Sequence, residues 1–517
     1  MKKAIISGIV LVVVVVLLLG STWFLGAMTE DGVKTYFEEL DSENPVPQLS
    51  VALPEYKRGF LKSSAMTSIG VEGVEEDGRL KHDVYHGPIA ITPDGMKAGM
   101  AYIITTLDQT ALPEEAQTVL SEVYGEEEPF TIKTTVSLTG GRTSLLEVAS
   151  VNYAEDELDL RFDGATGSLE MSGESGPMEA ELEISPFSMK STDEAGDVST
   201  LRLGSSSISL SGDEMTGIAG GGTVGKVSSR TTGDEGISFT MEESTLEMDH
   251  RTVEEGSALY VGEGTFSIPE ISVNLGEEGK VAIKNLEAKN GSQVKGDMVE
   301  GTQTYTIESI EETFLEALDL GAVSDALGKG VSLTSSSTMP IVMAEAFAEL
   351  QSDLQAWGAD EGEEMSAEDS EALADALELS IKSISEGTGM SMDLRVGDES
   401  KPMSVGLSLA YVGKGLLTET ESIAEIIELV DLELNAELPN EIIESLPEET
   451  GEQVGMLIVS GTFVETPTGL KSSITLKDGA LLSNGEPNPL FESMKPMLMM
   501  PMDWDGVFDG IRAASEE

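Results

Sequence analysis

Apolar and polar residues alternate along most of the chain. Met178, Ala180, Leu182 and Ile184 are interleaved with Glu179, Glu181 and Glu183, and Leu158, Leu160 and Phe162 with Asp159 and Arg161. A period of two sends the two sets to opposite faces of a pleated strand, one packed and one wet, which is the antiparallel case. The pattern runs from Pro129 to about Asn290, through Thr131 to Leu138 and Leu201 to Leu210. Gly140-Gly141, Ser211-Gly212-Asp213 and Gly220-Gly221-Gly222 read as turns between strands. Upstream, Leu80 to Tyr85 and Met100 to Thr105 read as strands. Ala111 to Leu120 reads as a short helix with Pro113 in its first turn. No strand-helix-strand rhythm is present, which disfavours a parallel sheet.

The period lengthens in the middle. Ile310, Phe314, Leu315 and Leu318 share one helical face, and Met343, Phe347, Leu350, Leu354 and Trp357 step by four and three. Ser366 and Asp369 form a potential capping box ahead of Ala372 to Leu377. Strands return at Met392 to Val396 and Met403 to Tyr411. A helix over Ile423 to Val430 and a strand over Leu432 to Leu438 follow, then a short helix at Ile442. Leu457 to Val464 and Leu470 to Leu476 read as strands, the latter closed by an Asp478-Gly479 turn. The expected fold class is mainly β, a β-rich α+β body: a long curved antiparallel sheet with a few packed helices behind an N-terminal transmembrane helix. The expected division is 1–28 as anchor, 29–300 as β-rich domain, 301–390 as helical segment and 391–517 as a second β/α module completing the same body.

The anchor rests on Ala4 to Leu25, an apolar run without a charge. A helix of that length crosses a bilayer core of about 30 Å. Lys2 and Lys3 precede the run, and Glu30 and Asp31 follow it. That asymmetry puts the N-terminus in the cytoplasm and everything after residue 28 on the other side of the membrane. The chain has no cysteine, so the exported body carries no disulfide and no thiolate metal site. Its 30 basic and 94 acidic residues give a net charge of -64. Such a chain repels nucleic acid and lacks the polybasic runs that dock on anionic membranes. It suits a saline medium, which screens its self-repulsion.

Few residues point to chemistry. His82 and His86 are four apart, but on a strand they stand ~13 Å from each other and cannot share an ion. A structural His86 before a Gly-Pro turn is the plainer reading. Arg58 could pair with a carboxylate or headgroup, or clamp a neighbouring loop through its fork of donors. Gly220 to Lys226 matches phosphate-loop spacing, yet Val227 stands where that loop needs a hydroxyl, so a flexible turn is expected. No nucleophile elbow occurs, and carboxylates are too numerous to single out a glycosidase dyad. No catalytic, cofactor-binding or metal-ligating residue is therefore assigned. The methionine-rich tail reads as an apolar docking strip or a cap on the core.

Four stretches resemble one family. They are Trp23-Phe24-Leu25-Gly26, the Tyr-x-Arg-Gly-x-x-x-Ser run from Tyr56 to Ser63, His86-Gly87-Pro88, and Pro129-Phe130. Together they resemble the YdgA-like family of Gram-negative inner-membrane and periplasmic envelope proteins of unknown function. The resemblance singles out Tyr56, Arg58, Gly59, His86, Gly87 and Pro88 as motif residues. It implies an inner-membrane anchor and a periplasmic β-rich body, and leaves room for a homodimer. The expected function is a non-catalytic scaffold or binder of lipid, another apolar ligand or an envelope protein through an extended sheet, with no cofactor. The alternative is an envelope hydrolase with carboxylate or His chemistry.

Overall fold

The structure is a computed structural model. It describes residues 49–515 apart from Arg58, Phe60, Ser460, Met500 and the stretches 72–77, 156–157, 174–175, 194–195, 214–215, 233–235, 254–258, 277–278, 312–325, 349–366, 398–401 and 445–447. The apolar run at 4–25 lies outside the described residues, as do Arg58, the capping box at Ser366 and the predicted helix at Phe314. Among the described residues no helix is long and apolar enough to cross a membrane. The chain forms two compact units, one of residues up to 214 together with 218–233, the other of 215–217 and 234–517.

The first unit opens with β1 (Leu49–Lys57), β2 (Lys62–Val71) and β3 (Gly78–His86). A small hairpin, β4 (Ile89–Thr92) and β5 (Gly95–Ala98), leads into β6 (Ala101–Leu107), α1 (Glu114–Tyr124), β7 (Phe130–Val136) and β8 (Arg142–Val148). Neighbours β1, β2, β3, β6, β7 and β8 pair in that order, all antiparallel. The expected helix starts three residues later than Ala111, with Pro113 as its N-cap. Proline suits that place because it has no amide proton to leave unsatisfied.

The strands that follow come in halves. β9 (Val151–Glu155) continues β8, and β10 (Leu158–Phe162) continues into β11 (Ala165–Met171). β12 (Met178–Ile184) and β13 (Phe187–Thr192), then β14 (Val198–Leu203) and β15 (Ser206–Asp213), repeat the arrangement. β16 (Gly217–Val224) and β17 (Val227–Thr231) repeat it once more. Partnerships match on both sides of each break: β11 pairs β8 where β10 pairs β9, and β12 pairs β15 where β13 pairs β14. Each pair of halves is thus one long strand with a two-residue kink, and the kinks are stitched to one another. Ser185 donates its amide to the Gly164 carbonyl at 3.0 Å, and Gly204 to that of Lys226 at 2.8 Å. Helix α1 packs Val123 and Tyr124 onto the cluster of Val151, Tyr153 and Leu160.

Gly220-Gly221-Gly222 lies inside β16, not in a turn. The correction has a steric reason. A Cβ at Gly220 would meet the Ser209 carbonyl oxygen at 2.3 Å, and one at Gly222 that of Ser207 at 2.4 Å. The glycines let two backbones approach, which is what glycine in a strand interior commonly marks.

The second unit is a meander in sequence order. β18 (Ser238–Met241) and β19 (Ser244–Thr252) both pair with β20 (Tyr260–Asn274). Then come β21 (Lys280–Lys295), β22 (Met298–Ile310), β23 (Val331–Pro340), β24 (Gly389–Val396), β25 (Met403–Tyr411) and β26 (Val430–Pro439), each antiparallel to the one before. β27 (Val464–Thr466), β28 (Gly469–Lys477), β29 (Ala480–Ser483) and β30 (Glu486–Pro487) complete it, with β28 against β26. Asp478 and Gly479, with φ of 48° and 71°, make the expected two-residue turn.

Helices decorate this sheet. They are a segment at 341–348, α2 (Ala367–Ser383), α3 (Ile423–Glu428), α4 (Asn440–Ile443), α5 (Glu448–Val459), α6 (Pro489–Leu498) and α7 (Trp504–Ser515). Two strands, β22 and β23, therefore run through the 301–390 segment that was expected to be helical, and the boundary between compact units falls near 214–234 instead of 300. The run at Leu457, expected as a strand, closes α5: Val454, Leu457 and Ile458 have three-and-four spacing, and that helical period overrides the β-branched composition. The methionine-rich tail starts as α6, with Met494 and Met499 exposed.

Candidate functional site

The family-motif residues converge at one end of β1, β2 and β3. Tyr56 pairs across to Ala65 near the end of β1. Gly59 follows in the β1–β2 connection, where a Cβ would lie 1.9 Å from the Lys62 carbonyl oxygen. The tight approach lets the Gly59 amide donate to Ser63 Oγ at 3.0 Å. The same oxygen hydrogen-bonds His86 Nε2 at 2.7 Å, and the His86 amide donates to the Leu61 carbonyl at 2.9 Å. Gly87, at φ 110°, turns the chain out of β3, and its amide donates to Met100 at 3.2 Å. Pro88 then accepts from Gly99 at 3.2 Å, which closes the base of the β4–β5 hairpin. Two motifs more than twenty residues apart thus form one corner. Arg58 lies outside the described residues.

A serine hydroxyl 2.7 Å from an imidazole has the spacing of a nucleophile and its base. Its surroundings argue otherwise. Ser63 is 1% exposed, and its oxygen also accepts the Gly59 amide. It ties the β1–β2 connection and β3 to β2, a structural use of the hydroxyl that leaves its own oxygen buried.

His82 is more deeply held. Its Nε2 hydrogen-bonds Thr67 Oγ1 at 2.7 Å and its Nδ1 hydrogen-bonds Thr105 Oγ1 at 2.8 Å. Burial lowers its pKa from 6.5 to about 4, against a smaller opposing pull from Asp83. The ring is therefore neutral near neutral pH, donating from one nitrogen and accepting at the other. Further along the same sheet face Thr134 and Ser144 share a hydrogen bond at 2.9 Å. Ser63, Thr67, His82, Thr105, Thr134 and Ser144 are all buried, so this face carries a row of paired polar groups inside its core. The period-two placement of Ser63, Ala65 and Thr67 was the signal for it in the sequence. His82 and His86 sit on one strand face with separate partners, and among the described residues no group of His, Asp or Glu is placed to hold a metal.

A different kind of site lies in the second unit. The register sets Gly301 and Gln303 of β22, Ser335, Ser337 and Met339 of β23, Met390 and Met392 of β24, and Leu407 and Leu409 of β25 on one face. The opposite face carries Thr302, Ser336, Ser391 and Ser408, with Ser336 and Ser391 hydrogen-bonded at 2.7 Å. Met390, Met392 and Leu409 are among the exposed large apolar side chains. They line a cavity of about 680 Å³. Met343, Leu417 and Ile426 from helical segments and Ile384 just past α2 line its other side, and Tyr411 and Val430 complete the wall. Small polar groups, Asn290, Ser292, Gln303, Ser335 and Ser337, stand at the β21–β23 end. None of the described lining residues is charged, in a chain of which 24% is charged. Apolar walls with a few hydrogen-bonding groups and this volume are what small-molecule sites have.

The sequence matches, over residues 1–491, the family model described as a bacterial protein of unknown function, DUF945. No curated protein and no solved structure matches it. The chain belongs to the DUF945 family.

Proposed function

We propose that this DUF945 member is a non-catalytic envelope protein that holds an uncharged apolar ligand, a lipid acyl chain or its like, in the cavity between β22–β25 and the helices over them. The observation that carries this reading is a cavity whose described lining is uncharged and whose sheet wall presents Met390, Met392 and Leu409, in a strongly acidic chain. The methionines adapt their shape to varied chains. Gln303, Asn290 and the serines can satisfy an ester or amide at one end. A carboxylate or phosphate would find no cation among the described lining residues and a strongly negative chain around it.

The finer picture is a YdgA-like protein anchored by residues 4–25 in the inner membrane, with its body in the periplasm. The apolar run and the lysines before it support that reading. In that setting the groove would take ligand from the bilayer or pass it to a partner.

The test is native mass spectrometry of the full chain extracted in mild detergent. The wild type should carry bound lipid. Met390→Glu and Leu409→Glu, each placing a charge in the lining at a position exposed enough to tolerate it, should lose at least tenfold in occupancy, about 1.4 kcal/mol. Equal occupancy in wild type and variants, or none in either, would defeat the proposal.

A further inference from the structure

The β4–β5 hairpin leaves the sheet at Gly87 and returns at Met100 without pairing to any other described strand. Its inner face is anchored. Ala90 packs with Tyr85 and Tyr102, and the Tyr102 hydroxyl donates to Asp94 at 2.7 Å. Its outer face is not covered by any described residue. The register places Ile89, Ile91, Met96 and Ala98 together there. Ile89 is 63% exposed, Ile91 72% and Met96 79%. Leu61 and Met100, both also exposed, flank its base, where Leu61 accepts the His86 amide and Met100 the Gly87 amide.

The charge at this end differs from the rest of the molecule. Residues 56–71 contain Lys57, Arg58 and Lys62 and no acidic residue. Lys62 lies 5.1 Å from the Tyr85 ring centroid and Lys97 5.7 Å from that of Tyr102, so two ammonium groups flank the tyrosine pad under the hairpin. Lys62 also pairs with Asp83 at 2.9 Å. The hairpin's single carboxylate, Asp94, accepts the Tyr102 hydroxyl and has Lys133 at 3.7 Å. The Tyr102 bond, with lysines nearby, holds its pKa below the usual range. An exposed apolar tip, tyrosines behind it and lysines at their level form the sequence of layers that a bilayer interface presents in reverse.

We propose that this hairpin seats in the interfacial layer of a phospholipid membrane, as a second contact besides the N-terminal run. The chain's average charge opposes approach to anionic headgroups, but this acid-poor end does not. The 23 residues between Leu25 and Leu49 reach at most about 80 Å when extended, ample for the hairpin to meet the membrane that holds the anchor. The inference rests on the envelope location proposed above and is independent of the groove.

Because the chain lacks cysteine, a single nitroxide can be placed at will. The full chain with Ile91→Cys, labelled and reconstituted into vesicles of phosphatidylethanolamine and phosphatidylglycerol, is compared with the same chain labelled at Ser209→Cys, an exposed strand position. The label at 91 should be more accessible to dissolved oxygen than to a water-soluble nickel chelate, with the reverse at 209. Met96→Cys, at the cross-strand partner of Ile91, should report the same depth if one variant misfolds. A label at 91 that behaves like the one at 209 overturns the proposal. So does one shielded from both reagents, as cover by residues 26–48, a second copy or another protein would produce. Val15→Cys separates the two readings: lipid exposure at 15 with water exposure at 91 removes only the hairpin contact, and water exposure at 15 removes the anchor.

Discussion

Acidifying the protein should open β3 before its neighbours, and His82 sets the size of the effect. The imidazole lies in a closed slot between Thr67 and Thr105, and burial depresses its pKa to about 4. In the unfolded chain it titrates near 6.5. Above pH 6.5 neither state binds the proton and the residue adds no pH dependence. Between 6.5 and about 4 the unfolded state takes up a proton that the folded state refuses, so stability falls as pH falls. Two and a half pH units at 1.36 kcal/mol each give about 3 kcal/mol lost by pH 4. Titration of 94 carboxylates overlaps this window at its acid end, so the variant His82→Gln supplies the baseline. The glutamine amide retains a donor and an acceptor but does not titrate. Hydrogen–deuterium exchange on peptides covering Gly78–His86, corrected for the intrinsic pH dependence, reads the local opening free energy. The wild-type curve should drop below the variant's by about 3 kcal/mol between pH 6.5 and 4. Parallel curves would show that the ring is reached by water or is protonated in place, and would refute the argument.

Other outcomes follow from the same structure. Gly59→Ala should destabilise the first unit by more than about 2 kcal/mol, because its Cβ would sit 1.9 Å from a backbone oxygen that can move only with the β1–β2 connection; chemical denaturation measures it. Ser63→Ala should cost about 1–3 kcal/mol by removing the partner of His86 Nε2 and the Gly59 amide. If it instead abolished a hydrolytic activity of the purified chain at unchanged melting temperature, the hydrolase alternative would gain. The melting temperature should rise with NaCl, since salt screens the repulsion within a chain of net charge -64; a flat response would show that its acidic groups are already too far apart to matter.

The strands were legible where alternation was strong. Met178–Ile184 and Met403–Tyr411 appear where their period of two put them. Sequence reading failed where local signals compete with long-range ones. The triple glycine at 220 has turn composition, but close packing on β15 makes it a strand. The apolar end of α5 has strand composition, but its spacing and the chain before it make it helix. The Ser63–His86 contact spans 23 residues and depends on the β2–β3 register, which no local pattern encodes. The groove is the same case: Met390, Met392 and Leu409 were visible as alternating apolar residues, but their place under Met343, Ile384 and Ile426 depends on which strands neighbour one another.

The parity of β24 offers the most direct test of ligand binding. Both residues border the cavity, but strand parity turns the Met390 side chain into it and the Ser391 side chain to the opposite face, where it hydrogen-bonds Ser336 at 2.7 Å. A photoreactive benzophenone side chain is introduced at each position in turn and irradiated in cells, and the adducts on the full chain are identified by mass spectrometry. Lipid adducts at 390 and none at 391 are the predicted result. Adducts at neither position, or equally at both, would contradict a ligand held on that face.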